Sequence, residues 1–547
     1  MKKYKKYFVF IILILVGLIP LLDLFHPGLP ITHDGQDHVA RIANFYQNLQ
    51  EGNFIPRWAG NLNWGYGHPI LEFLYPLPSY FASFFHLLGF SLIDSVKIVF
   101  ALGMILSLLF MYLWLSSFLG EIPAVLGAIL YTYAPYRFVD LYVRGDIGEN
   151  LSFAFVPLSL YFIYKLYKDQ KYKFSIFGAV SLALLILSHN AISLMLLPFI
   201  IFYSLFLLFI SKKKNLFALN LIFLIILGFG LSAFFWIPAF FEGKYTLRNI
   251  VTAGSYIGRF VSFEDLLYGP WSYGGSGQFT VQLGIVHWFF LIASTISGSH
   301  LYRKKTKDLL FVTGLLVYSL IAIFLMLPVS SFVWERIMLF QNFQFSWRFL
   351  SVTVFTTSVL GAFITEKISR KYHVWILAFF IVLVLVLSKD YIRPKGYLYK
   401  PENFFSGVYK STTDTGESSP VWSVRFMEKA PKAHLELLDG DAKITETKRM
   451  SIYHAYNVEV KKKTLFAENT LYFPGWEIKA NSNPVKIEYQ NQQYRGIMLF
   501  YLDKGNYKIE SLYRETKLRA FADAISIAVM FNIIGFLLFK FVKARLS

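Results

Sequence analysis

The 547-residue chain contains no cysteine, and few of its residues carry a charge. Without cysteine there is no disulfide framework and no thiolate chemistry, so a metal site would have to use histidine and carboxylate ligands. Only 16% of the residues are charged, whereas 55% are hydrophobic and 19% are aromatic. Soluble domains cannot bury this much apolar surface, which predicts a mainly α polytopic membrane protein.

The charge that is present is strongly positive, with a formal net value of +19. The lysines fall in short clusters beside apolar runs, where the positive-inside rule places them. The bilayer is therefore the predicted partner, and nucleic acid is not. The clusters are MKKYKK at the start, YKDQKYK at 167–173, SKKKN at 211–215, YRKKTKD at 302–308, EKISRKYH at 366–373 and KFVKAR at 540–545.

About twelve apolar segments are long enough to predict transmembrane helices. They are 7–25, 96–118, 122–138, 150–167, 174–190, 192–210, 216–238, 281–297, 309–328, 348–366, 373–388 and 519–541. With both termini in the cytoplasm, every basic cluster lies inside. The apolar stretch 75–90 is shorter than a span, and we expect a re-entrant or interfacial piece of the first external loop, residues 27–95.

The segment 389–517 differs from the rest, because its apolar and polar residues alternate with period two. This pattern, with turn signals at Asp439-Gly440 and Lys504-Gly505, predicts a small antiparallel β domain. The predicted division is a transmembrane domain at 1–388, an extracytoplasmic β domain, and a last transmembrane helix at 518–547.

A polar stretch, THDGQD, directly follows the first apolar run. Asp34 is placed to cap a helix, with Asp37 at the third position of a capping-box-like pair. Capping does not require His33 and His38, nor does it require Asp37 one turn before Arg41. At the lip of a membrane helix we favour a reaction centre over a simple helix start.

Further polar residues fall on the same predicted external face. In YVRGDIGEN, Arg144 is a fixed cation suited to a phosphate or a carboxylate, and Asp146 and Glu149 would orient it or bind sugar hydroxyls. The alternative is a solvated loop with helix-capping acids.

Three more candidates lie near the outer ends of spans. Arg348, in FQFSWRFL, either extends to the headgroups or binds an anionic lipid phosphate. His189, in LSHN, is either a helix-end histidine or a substrate contact, and Glu242 adds a further acid. The specific signal is the convergence of all these residues on one side of the membrane.

Several segments resemble known families. HDGQDHVARIANFYQNLQEGNFIPRWAGNLNWGYGHPILEFLYPLPSYF, YVRGDIGENLSFAFVPLSLYF, FQFSWRFL and GESSPVW resemble bacterial membrane proteins of a 6-pyruvoyl-tetrahydropterin-synthase-related group. The stretch from LYFPGWEIKANSNPV to YKIESLYRE resembles the β domain that precedes the last span of YfhO-type proteins. Pterin chemistry itself does not fit a mostly membrane chain whose histidines lack a zinc spacing.

The first loop also resembles that of the GT-C glycosyltransferases, which are polytopic enzymes that use sugars carried on polyprenyl phosphate. The resemblance implies Asp34 or Asp37 as the catalytic carboxylate, with Asp37 preferred because Asp34 is the better cap. It implies a bacterial plasma membrane location and a cell-envelope polysaccharide, teichoic acid or glycolipid as acceptor. The candidate substrate-binding residues are Arg144, Asp146, Glu149, Arg348, His38, His189 and Glu242.

The loop shows no clean Asp-x-Asp pair, so a divalent metal stays an open question and no other cofactor is expected. A flippase or other transporter of a lipid-linked glycan also fits twelve spans, although transporters normally carry ionisable groups near the bilayer midplane. A non-catalytic scaffold in envelope assembly would account for the β domain alone.

Overall fold

The structure, a computed structural model, describes residues 2–274, 279–302 and 306–546. Within these ranges the chain is mainly helical, and fifteen α-helices have nine or more residues. They are α1 (Lys2–Leu18), α2 (Gly35–Gln50), α3 (Leu77–Leu87), α4 (Leu92–Ser116), α5 (Glu121–Tyr133), α6 (Ile147–Asp169), α7 (Lys173–Ser188), α8 (Asn190–Ile210), α9 (Lys214–Leu231), α10 (Ala233–Phe241), α11 (Ile285–Tyr302), α12 (Thr306–Met326), α13 (Leu350–Lys367), α14 (His373–Ser388) and α15 (Lys517–Leu546).

Eight of the described helices are long and apolar enough to cross a membrane, namely α4, α6, α8, α9, α12, α13, α14 and α15. Four shorter apolar helices lie at Val9–Phe25, Glu121–Tyr133, Lys173–Ser188 and Ile285–Ser297. These twelve helices coincide with the twelve apolar segments of the sequence. The prediction of a mainly α, multi-pass membrane protein is confirmed.

Two of the predicted spans are interrupted. The segment 122–138 breaks at Ala134, whose backbone is extended (φ −62°, ψ 139°), because the ring of Pro135 disfavours the helical conformation of the preceding residue. The segment 216–238 breaks at Ser232, between α9 and α10. The short helix predicted within 75–90 is α3, whose 11 residues fall well short of a span.

The predicted antiparallel β-sheet before the last helix is confirmed. Its strands are β3 (Leu435–Arg449), β4 (Tyr453–Leu471), β5 (Trp476–Ala480), β6 (Asn483–Val485), β7 (Ile497–Leu502) and β8 (Gly505–Tyr513). A separate two-stranded sheet pairs β1 (Leu29–Pro30) with β2 (Tyr397–Leu398). The strand order is β3-β4-β8-β5-β6, and β7 pairs with the C-terminal half of β4. All pairings in this sheet are antiparallel.

One of the two predicted turns is wrong. Lys504-Gly505 does join β7 to β8, but Asp439-Gly440 lies inside β3 at an irregular register with β4. Gly440 has φ +109°, and a Cβ there would lie 2.3 Å from Oγ1 of Thr464 on β4. The glycine therefore marks a bulge where two backbones approach closely, not a chain reversal.

The last helix is tied to the rest of the molecule by a buried ion cluster. Arg519, fully buried on α15, contacts Oε2 of Glu242 at 2.5 Å and Oε2 of Glu72 at 3.0 Å. Thr516 donates to the other oxygen of Glu242 at 2.6 Å. Burial raises the pKa of Glu72 to about 8, although the positive charges of Arg519 and Arg57 oppose the shift.

The sheet has its own buried charge at Glu468 on β4. Oε1 accepts hydrogen bonds from Tyr456 at 3.2 Å and Thr470 at 3.1 Å, and lies 2.9 Å from Nδ1 of His454. Arg449 approaches the same oxygen to 3.7 Å. Burial alone would raise the pKa of Glu468, but His454 and Arg449 outweigh it and hold the pKa below its ordinary value.

We expect Glu468→Gln to destabilise the protein by about 1–3 kcal/mol at pH 7, because a buried charge-assisted hydrogen bond is lost. The pKa of Glu468 is lowered in the folded state, so its stabilisation is present above the ordinary glutamate pKa. That stabilisation is lost as the pH falls through the folded value. Thermal unfolding of the full chain in detergent, followed by tryptophan fluorescence against pH, measures both effects.

The matched control is Glu477→Gln in the same sheet, because the pair of Glu477 with Arg514 is exposed and worth little. A Glu468→Gln protein that unfolds like the wild type at every pH would contradict the assignment.

Candidate active site

Helix α2 begins at Gly35, the position that the sequence predicted, with Asp34 at the N-cap. The cap hydrogen bond is nevertheless made by Thr32, whose Oγ1 accepts the N–H of Gly35 at 3.1 Å. The carboxylate of Asp34 makes no cap hydrogen bond. Its oxygens are therefore left for other partners, and the half-buried side chain is within reach of solvent.

The first loop is docked on the loop between α5 and α6. The N–H groups of His33 and Asp34 donate to the carbonyls of Val143 and Arg144 at 2.9 and 2.8 Å. These backbone bonds fix the register of two segments that are about a hundred residues apart in sequence. The two polar motifs that the sequence singled out therefore form one site.

A glycine makes this docking sterically possible. Gly145 has a left-handed backbone with φ +68°, and a Cβ there would lie only 2.2 Å from Oγ1 of Thr32. Any larger residue would push away the hydroxyl that caps α2.

The centre of the site is the guanidinium of Arg144. Nη1 contacts Oδ1 of Asp140 at 2.5 Å and Oε2 of Glu149 at 2.6 Å, and Nη2 contacts Oδ2 of Asp146 at 2.7 Å. All four side chains are almost completely buried. Buried carboxylates are tolerated only when they are paired in this way, and Arg144 contacts all three acids.

Aromatic residues enclose the cluster. The hydroxyl of Tyr136 donates to Glu149 at 2.6 Å, and that of Tyr75 donates to Asp146 at 3.1 Å. The ring of Trp347 lies 4.5 Å from the guanidinium of the central arginine, within cation–π distance. The two tyrosines thus restrain the carboxylates of Glu149 and Asp146 in position.

Arg348 lies beside the cluster, with Nε 3.9 Å from Oε2 of Glu149 and the side chain 13% exposed. Its Nη1 donates to the carbonyl of Phe343 at 2.9 Å. Nε is buried and has no hydrogen-bond partner within the described part of the chain. Arg348 therefore has donor capacity to spare, whereas the donors of Arg144 are shared among three acids.

His189 joins the same group from the start of α8. Its Nδ1 accepts the N–H of Ile192 at 3.2 Å, which leaves Nε2 to face Oδ2 of Asp146 at 3.5 Å. One ligand atom each from Asp146, Glu149 and His189 lie within 4.8 Å of one another, a set able to hold a divalent cation. Such an ion would compete with Arg144 for the same carboxylate oxygens.

The electrostatics separate two carboxylates of the site. Burial and the negative charge of Asp146 raise the pKa of Asp34, although Arg144 and Arg41 oppose the shift. Burial also acts on Asp146, but His189 and Arg144 outweigh it and hold its pKa well below the ordinary value. Neighbouring carboxylates whose pKa values are pushed apart are suited to different roles.

Asp37 lies one turn further along α2. It accepts a hydrogen bond from Tyr409 at 3.2 Å, and burial raises its pKa. Arg41 does not bridge to Asp37; it donates to the carbonyl of Thr413 at 2.6 Å and contacts Nδ1 of His38 at 3.2 Å. His38 is buried, and its Nε2 has no partner among the described residues.

The structure brings most of the predicted site residues together. These are Asp34, Asp37, His38, Arg144, Asp146, Glu149, His189 and Arg348. Glu242 is not among them, because it is held by Thr516 and Arg519 in the cluster that ties down the last helix.

Sequence reasoning missed Asp140, Tyr136 and Tyr75. Asp140 carried a usable signal, because it precedes Arg144 by four residues, the spacing of a helical ion pair. Tyr75 belongs to the first loop, and nothing in its local pattern indicates a contact with Asp146.

We expect Gly145→Ala to destabilise the protein by about 1–3 kcal/mol more than Gly52→Ala, because only the first substitution overpacks a contact. Gly52 is a matched control, since it has φ +87° and no atom within 4 Å of its Cβ position. Both variants place an alanine in the left-handed backbone region, so this source of destabilisation is common to the two. Thermal unfolding of the two purified variants measures the difference, and equal melting temperatures would contradict the docking of the two loops.

Comparison with known proteins places the chain in a family. A family described as "6-pyruvoyl-tetrahydropterin synthase related domain; membrane protein" matches residues 71–393, more than half of the chain. An uncharacterized protein of Lactococcus lactis subsp. cremoris (strain MG1363) is 26% identical over 350 residues, 61% of this chain and 55% of that protein. The chain thus spans about half the length of this curated relative.

Two solved structures show distant likeness. The oligosaccharyltransferase of Archaeoglobus fulgidus, in complex with Zn and sulfate, is 15% identical over 74% of this chain and 58% of its own, with a TM-score of 0.43. The arabinofuranosyltransferase AftD from Mycobacteria is 13% identical over 72% of this chain and 28% of its own, with a TM-score of 0.42. At these scores neither likeness identifies a reaction. The family match does identify a lineage: the chain belongs to the 6-pyruvoyl-tetrahydropterin-synthase-related membrane proteins.

Proposed function

We propose that the protein is a membrane glycosyltransferase of the extracytoplasmic face. It would transfer a sugar from a polyprenyl-phosphate-linked donor to a hydroxyl of a cell-envelope polysaccharide, teichoic acid or glycolipid. The observation that carries the proposal is the docking of Asp34, a half-buried carboxylate with a raised pKa, on the buried cluster of Arg144. A general base beside fixed cations is what this transfer needs.

The proposed orientation of the protein in the membrane follows from the residues at the two ends of α13. Arg348 lies beside the site, two residues before α13, and Lys367 is the last residue of that helix, roughly 28 Å away at 1.5 Å per residue. Lys367 is paired with Asp308 at 2.8 Å, so one residue from each of two basic clusters meets the other far from the site. The positive-inside rule makes that end cytoplasmic and supports twelve spans with both termini inside.

In the proposed step, Asp34 takes the proton of the acceptor hydroxyl as its oxygen attacks the anomeric carbon. The new C–O bond forms as the bond to the phosphate oxygen breaks, and the electron pair stays on the lipid phosphate. Arg348 is placed to stabilise the charge that grows there, because its Nε makes no hydrogen bond in the described part of the chain while Arg144 is occupied by three acids. Arg144 is then a positioning residue for Asp146 and Glu149.

Two observations favour Asp34 over Asp37 as the base. Asp34 does not use its carboxylate for capping, which removes the reason for preferring Asp37. Asp37 is restrained by the hydroxyl of Tyr409, and no side-chain hydrogen bond of Asp34 is found in the described ranges.

A divalent cation is optional in this proposal, because a lipid phosphate is already a competent leaving group. If one binds, Asp146, Glu149 and His189 would hold it, and it would supply positive charge to the phosphate. We further propose that residues 1–388 form the catalytic membrane domain, that 389–517 cover the site, and that 518–547 anchor the chain.

The first test compares Asp34→Asn with Asp37→Asn and with Glu264→Gln, an exposed acid outside the site. We expect Asp34→Asn to lower transfer from a radiolabelled polyprenyl-phosphate sugar by about 10²–10⁴-fold, the usual contribution of a general base. Asp37→Asn should lose less, and Glu264→Gln should match the wild type.

The same proteins in vesicles separate catalysis from transport. Undiminished transfer by Asp34→Asn, together with movement of the lipid-linked sugar across the vesicle membrane, would favour a transporter and contradict the proposal.

The pH dependence gives a second test. Because the pKa of Asp34 is raised, kcat/KM should fall on the acid side with a midpoint above the ordinary value of aspartate. The negative charge of Asp37 contributes to the raised pKa of Asp34. Asp37→Asn should therefore move the acid limb of the kcat/KM profile to lower pH without abolishing it. An acid limb that disappears in Asp37→Asn would make Asp37 the base instead.

A further inference from the structure

A cavity of about 240 Å³ lies between α7, α8, α10 and the end of α9. Its wall is apolar apart from Asn190, Ser193 and Arg248. The hydroxyl of Ser193 already donates hydrogen bonds to the carbonyls of Leu185 and His189. A space of this volume with so few polar groups favours hydrocarbon over water.

The cavity is open towards the outer surface of the helices. Leu194 and Phe240, two of the lining residues, are 45% and 75% exposed. They belong to apolar helices that face the bilayer in the proposed arrangement. A lipid chain can therefore enter from the side.

Arg248 supplies the cation at this cavity. No hydrogen bond or ion pair of its guanidinium is found in the part of the chain that the structure describes, although its side chain is half-buried. A cation beside an apolar cavity is costly without a counter-charge. Hydrocarbon walls beside an arginine without an ion-pair partner among the described residues complement a lipid that carries an anionic headgroup.

At Asn190 the cavity adjoins the candidate active site. Asn190 lines the cavity, and its Oδ1 is buried without a partner among the described residues. The preceding residue, His189, faces Asp146 at 3.5 Å. A headgroup held near Asn190 would thus lie next to the site cluster.

One segment also joins the loops of the two relevant arginines. Glu417 accepts a hydrogen bond from the side chain of Gln344, four residues before Arg348. Two residues later, the carbonyl of Ser419 accepts the N–H of Leu247, the neighbour of Arg248, at 2.8 Å. Residues 417–419 therefore hold both arginine loops in one arrangement.

We propose that this cavity binds the first part of the hydrocarbon chain of the lipid-linked donor, with Arg248 as the partner of its phosphate. The identity of the lipid rests on the proposed glycosyltransferase function. Arg248 acts in binding, whereas Arg348 meets the charge that develops during transfer. An ordinary phospholipid is the competing occupant, and the test must separate the two.

The test measures binding without turnover, by thermal stabilisation of the full chain in detergent. The probes are polyprenyl monophosphate, polyprenol without phosphate, phosphatidylglycerol and inorganic phosphate. The variants are Arg248→Gln, the cavity-filling Ala239→Phe, and Lys244→Gln as a control, since Lys244 is exposed nearby and does not line the cavity. All four proteins are also prepared with Asp34→Asn.

We expect Arg248→Gln to weaken binding of polyprenyl monophosphate about tenfold and to leave polyprenol unchanged, because one charge-assisted contact is lost. Ala239→Phe should weaken both lipids, Lys244→Gln neither, and inorganic phosphate should not stabilise any variant. Asp34→Asn should not alter these affinities.

Equal binding by wild type and Arg248→Gln would overturn the proposal, as would displacement of polyprenyl monophosphate by phosphatidylglycerol at equal concentration. The binding assay does not depend on turnover. If the Asp34→Asn protein still transfers sugar in the activity assay, the proposed base is refuted and the lipid site is unaffected.

Discussion

The structure of the site depends on one guanidinium. Arg144 pairs with Asp140, Asp146 and Glu149 in a region from which water is almost excluded. Removing one partner from such a buried pair typically costs about 3–5 kcal/mol, because an uncompensated charge remains. The loop between α5 and α6 must therefore keep its shape, and the first loop docks on the backbone that this shape presents.

The class of the protein could be predicted because hydropathy, charge clusters and period-two alternation are local properties of the chain. The same local evidence predicted the start of α2 at Gly35. Local evidence gave the wrong prediction where the role of a residue depends on a partner outside its own sequence pattern. Asp439-Gly440 has the composition of a turn, yet Gly440 serves the approach of Thr464. Asp34 has the composition of a cap, yet Thr32 makes the bond.

The candidate site was predictable as a list of residues and not as an arrangement. Charged residues near the ends of apolar runs point to a polar centre, which is why most of the predicted residues lie together. Their roles depend on pairings across the molecule that sequence spacing does not contain. Glu242 looked similar to Asp146, but the partner that decides its role, Arg519, is almost three hundred residues away.

The division of labour among the arginines follows from their partners. An arginine saturated by carboxylates, such as Arg144, stabilises the protein and orients those acids, but it has little left to offer a substrate. A phosphate can bind arginines that have donors without hydrogen-bond partners, and among the described residues Arg348 and Arg248 have such donors. In the proposed reaction a lipid phosphate would pass from bound donor to leaving group without leaving the interface, which requires Arg348 and Arg248 to keep a fixed position relative to each other. The segment 417–419, which is hydrogen-bonded to both of their loops, provides that register.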